Sequence, residues 1–122
     1  MLAVFVCLSI SCGSVTSPSD NKQEPFSGTL QVGGSVGFPV TVNNTGEFSV
    51  KITAMSPTVT AVVGALWGQG PNCEVPLQQN TATLNSPALV GAILQKGQYC
   101  VALFDIGGIS VAQTFTLVVS HP

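Results

Sequence analysis

The chain contains no arginine, and its only lysines are Lys22, Lys51 and Lys96. With five carboxylates the formal net charge is -2. So few cations leave nothing to neutralise a phosphate backbone, which excludes nucleic acid as a partner, and they give no electrostatic hold on anionic lipid surfaces. Charged residues are only 7% of the sequence, but hydrophobic ones are 45%, so the shortage of charge does not predict disorder, which goes with low hydrophobicity. A single histidine, His121, and cysteines without paired short spacing leave too few ligands for a zinc site. No cofactor is expected. No segment keeps a 3.6-residue apolar period between caps, which argues against a helical fold. No apolar run reaches the roughly 20 residues that a spanning helix needs.

What the chain does have is Gly, Ser, Thr, Asn and Gln for its polar surface and many β-branched residues. That bias predicts an all-β, extracytoplasmic domain, and 122 residues make one domain. The opening "MLAVFVCLSISC" is an apolar run of about a dozen residues, the size of the h-region of an export signal. No Lys or Arg precedes it, so either the signal is weak or the true start lies upstream of Met1; a buried N-terminal strand is the competing reading. "LSISCGS" resembles the lipobox of bacterial lipoproteins, with Ser11 before Cys12 as the lipidated residue, although Leu8 stands one position early. The polar "GSVTSPSDNKQEP" that follows reads as a flexible tether. The expected organisation is therefore a signal over 1–12, a tether over 13–24 and a folded domain over 25–122.

Four cysteines divide between the leader (Cys7, Cys12) and the body (Cys73, Cys100). Export places the body in an oxidising compartment, where Cys73 and Cys100 pair most simply. From Phe26 onward, runs of β-formers alternate with turn residues: "FSGTLQV", "VGFPVTV", "EFSVKITAM", "VTAVVGALW", "ALVGAIL", "QYCVALFD" and "VAQTFTLVVS". "SPALVGAILQKG" also fits one short helix, though strand is preferred. The long polar stretch "GQGPNCEVPLQQNTATLNSP" reads as a loop. About seven strands at regular spacing predict a single antiparallel β-sandwich of jelly-roll or immunoglobulin-like type. Its core is expected to include Phe38, Phe48, Ile52, Val63, Leu66, Leu103 and Leu117.

The order "FSGTLQVGGSVGFPVTVNNTGEFSVKIT", "ALWGQGPNC", "KGQYCVALFD", "TFTLVVSHP" resembles the bacterial pre-peptidase C-terminal domain family over roughly residues 26 to 122. The resemblance implies a small β-sandwich module of a secreted protein. It carries no catalytic motif. Modules of this kind can use calcium, which keeps open a site assembled from separate loops, although no two carboxylates of this chain have calcium-loop spacing.

"GGSVG" at 33–37 has the G-x-S-x-G pattern of a hydrolase nucleophile elbow, and Asp105 and His121 follow in order. That elbow needs a helix after the turn, whereas "FPVTV" follows here, and His121 is next to last, where fraying is expected. A serine hydrolase using Ser35 is thus the remote reading, and the chain is expected not to be an enzyme. "NNT" at 43–45 reads as a turn. Trp67 is read as closing one end of the core against the disulfide; as a stacking platform it is the weaker option. If Cys100 faces inward, Tyr99 faces solvent. Trp67, Gln69, Asn72 and Tyr99 are the candidate binding residues, on or near the long loop. Two functions survive: a lipid-anchored module binding an extracellular or envelope protein or glycan, and an assembly subunit joined through sheet edges.

Overall fold

The structure is a computed structural model, and it describes residues 15–16 and 18–122. Cys7, Cys12 and the expected signal lie outside the described residues. Among the described residues nine strands follow in chain order: β1 (Val15–Thr16), β2 (Lys22–Leu30), β3 (Ser35–Val42), β4 (Thr45–Ser56), β5 (Val63–Gln69), β6 (Glu74–Ala82), β7 (Pro87–Ile93), β8 (Gly97–Phe104) and β9 (Gln113–His121). They form two sheets, β7-β4-β9-β2 and β3-β8-β5-β6. All pairs of these eight are antiparallel. The short β1 adds to β4 in parallel at Thr45 and Gly46, beyond the end of β9.

The pairs β2/β9, β3/β8, β4/β7 and β5/β6 are nested, as in a hairpin folded over on itself. That nesting across two sheets is jelly-roll connectivity. It gives eight principal strands against an expectation of about seven. The additional one is β6, which lies inside the stretch read as a loop. Its described side chains from Glu74 to Thr81 are all exposed, so it has no apolar alternation to betray it. The segment 13–24, expected as a tether, contributes β1, a 3-10 turn at Pro18–Asp20 and the start of β2.

Alternation builds the core. Val40 and Val42, Phe48, Val50 and Ile52, Val101 and Leu103, and Phe115, Leu117 and Val119 each occupy one face of a strand and are buried. Of the expected core residues, Phe48, Ile52, Val63, Leu103 and Leu117 are buried, and Phe38 packs on the cluster from its margin. Leu66 is only half-buried, because Ala65 and Trp67 take the inner face of β5.

Cys73 and Cys100 form a disulfide with Cα atoms 5.3 Å apart, within the usual range. Chain entropy credits a loop of this length with about 3.6 kcal/mol. Gly68 makes the bridge possible. It pairs with Cys100 on the outer face of its sheet, and a Cβ on it would stand 2.5 Å from the Cys73 carbonyl carbon. Cys73 itself has φ of 50°, turning the chain tightly over that bare strand.

Candidate functional site

Because Cys73 comes over the outside of the sheet, Cys100 faces outward and Tyr99 inward. The condition under which Tyr99 would face solvent, an inward Cys100, is therefore not met: Tyr99 is only 7% exposed, and its hydroxyl donates to the Gln95 carbonyl at 2.5 Å. Trp67 is 5% exposed and likewise faces inward, so it lies on the opposite side of the sheet from the disulfide. The indole stacks on Phe48 of the facing sheet (centroids 4.4 Å apart) and on Tyr99 of its own (5.2 Å). Such ring pairs contribute about 0.5–1.5 kcal/mol each beyond area burial. With its faces taken by this chain's own rings, Trp67 has none free for a sugar ring to stack on.

The stack instead lines a groove of about 500 Å³, together with Gly68, Gln69, Leu77, Gly91, Ala92, Leu94 and Gln95. Gly91 is what lets the Phe48 ring reach this position. It sits opposite Phe48 in the β4/β7 pair, and a Cβ there would lie 2.7 Å from Phe48 Cε1. A second depression of about 570 Å³ shares Ala92 and Leu94 and runs on toward Asn43, Asn44, Glu47 and Lys96. Between the two stands Leu94, 83% exposed.

Of the four sequence candidates, Trp67, Gln69 and Tyr99 meet at the groove. Asn72 is exposed in the turn before Cys73 and does not line it. Sequence reasoning missed Leu77, Gly91 and Leu94. A signal for them exists: no charged residue occurs between Glu74 and Lys96. Those residues build β6 and β7, the edge strands on one side of the two sheets, which pack against each other. One lateral wall of the sandwich is therefore almost free of charge.

The hydrolase set does not assemble. Ser35 opens β3, just after the turn that leaves β2 at Leu30, and Leu30 pairs with Gln113. His121 pairs with Lys22 at the other end of β9, about 26 Å away along the strand. His121 is not frayed: it is 1% exposed, with Nε2 3.0 Å from Glu24 Oε1 and Nδ1 3.2 Å from the Pro122 carbonyl. The Asp105 carboxylate accepts backbone N–H groups from Gly33 (2.7 Å), Gly107 (2.8 Å) and Gly108 (3.1 Å). These bonds, Gly33's foremost, hold its pKa below the usual carboxylate range. Among the described residues no group of three or more His, Cys, Asp or Glu is placed to hold a metal ion. Nor is any described helix long and apolar enough to cross a membrane. No family model matches the chain, and no curated protein matches it.

Proposed function

We propose that this chain is an exported, non-catalytic interaction module that binds an extracellular or envelope protein through the wall formed by β6 and β7. The single observation that carries the reading is the uncharged groove beside the edge of β7. An uncharged groove next to a strand edge suits an extended polypeptide: the edge supplies hydrogen bonds and the groove takes alternate side chains. A glycan is less favoured, since the one tryptophan has no free ring face. The disulfide is compatible with export. Lipidation of Cys12, with cleavage before it, would hold the module at a membrane surface. The resemblance to pre-peptidase C-terminal modules supports a secreted binding role.

The only tryptophan lines the groove, so it reports on occupancy. Uncharged extended peptides with alternating apolar residues should shift Trp67 emission saturably, and peptides with charges at those positions should not. Leu94→Lys should weaken the response at least tenfold. If no peptide of either kind moves the emission, the groove is not a polypeptide site and the reading fails.

A further inference from the structure

We infer that the partner of this wall is a second copy of the chain, joined by antiparallel pairing of β7 with β7 about a two-fold axis at Gly91. The inference rests on the wall being the interaction surface and names what covers it. Exposed sheet edges recruit other strands unless proline, charge or irregularity blunts them. Three edges here are blunted: β2 carries Lys22, Glu24 and Pro25, β3 carries Pro39, and β6 carries Glu74 and Pro76. The fourth is not. β7 pairs only with β4 among the described strands, and from Leu89 to Ile93 it has no proline, no charge and no register shift.

The pairing register follows from the pleat. Residues directly opposite in an antiparallel pair point to the same side of the sheet. Leu89 and Ile93 are buried in the core, and Val90, 63% exposed, points outward with Ala92. A two-fold axis at Gly91 sets Val90 of one copy against Ala92 of the other on the outer face, large against small, twice over. On the inner face it sets Leu89 against Ile93. At the axis itself two glycines meet, so no side chain holds the backbones apart.

The charge distribution agrees with this occupant. Each copy has a net charge of -2, which opposes association, but the residues from 75 to 95 that build the wall contribute none of it. That stretch is electrostatically matched to itself, with Glu74 standing only at the start of β6. The wall is about 23 Å long for a seven-residue strand and about 20 Å high across two sheets and their side chains. Its flat extent is thus about 460 Å² per copy, roughly 900 Å² over both, at the small end of interface sizes that suits a reversible pairing.

Sedimentation equilibrium of the exported protein tests this. A reversible dimer is expected at micromolar concentration. Val90→Lys should raise its dissociation constant at least 100-fold, while Val32→Lys, in the turn between β2 and β3, should leave it unchanged. Amide exchange of the wild-type protein needs no substitution: Leu89–Ile93 should become more protected as concentration rises, and the β2 and β3 edges should not. A wild type that is monomeric up to millimolar concentration, or a Val90→Lys chain that is folded and dimerises normally, overturns the second copy. A monomer whose Trp67 still answers to uncharged peptides overturns only this inference; a monomer without that response removes the interaction wall as well.

Discussion

The Asp105 carboxylate ties the turn after β2 to the loop after β8 by accepting backbone N–H groups from both. Its own N–H donates to the Gly34 carbonyl at 2.9 Å, which closes the same junction from the other side. Nothing in the spacing of "DIGGIS" shows that its partners include a turn some seventy residues earlier. As a sequence element Asp105 looked like a triad member, and its structural work could not be read. The bonds lower its pKa, so the folded state binds this proton less readily than the unfolded chain. The stabilisation is therefore complete above the ordinary carboxylate pKa of about 3.9 and is lost as pH falls through the lower folded value. Urea denaturation of wild type and Asp105→Asn should show a constant stability gap above about pH 5 that narrows below pH 4. A gap independent of pH would remove the carboxylate from this account.

Among the elements, seven of the eight principal strands were legible because each buries one face and so alternates or runs apolar. β6 was not, for a physical reason: an edge strand with both faces in water has no apolar period to display. Among its described side chains the exposed Leu77 lines the groove. The site was legible in part. Trp67, Gln69 and Tyr99 were singled out, but the facing of Tyr99 was left to depend on that of Cys100. Residues 99 and 100 alternate, and the sequence does not say from which side Cys73 approaches. Only the bare backbone of Gly68 decides that. Gly91 is the corresponding device in β7, and it gives a prediction for this element. Gly91→Ala should push the Phe48 ring off Trp67, change Trp67 emission and cost about 1–3 kcal/mol, as overpacking generally does. Unchanged emission with unchanged stability would mean that the Phe48–Trp67 stack does not depend on that glycine.

Across the whole molecule, the jelly roll sorts its surface by chemistry. The outer faces of the sheets are dressed with Ser, Thr and Gln, as in Ser27, Thr29, Thr114 and Thr116 on one and Thr41 and Gln98 on the other. Carboxylates and lysines lie outside residues 75–95, which build most of the β6–β7 wall, and Glu74 stands only at the start of β6. That wall instead presents Leu77, Val90 and Leu94. Single exposed apolar residues need no explanation, but a cluster beside a groove and an unblunted strand edge marks an interaction site. The central claim is that this wall is covered when the protein is at work. Hydroxyl-radical footprinting tests it most directly, by comparing the protein in its native setting with purified, dilute Val90→Lys protein. The account predicts that Leu77 and Leu94 are labelled several-fold less in the native setting, while Val32, Val59 and Val111, which are exposed elsewhere, are labelled equally in both. Equal labelling of all five would contradict it.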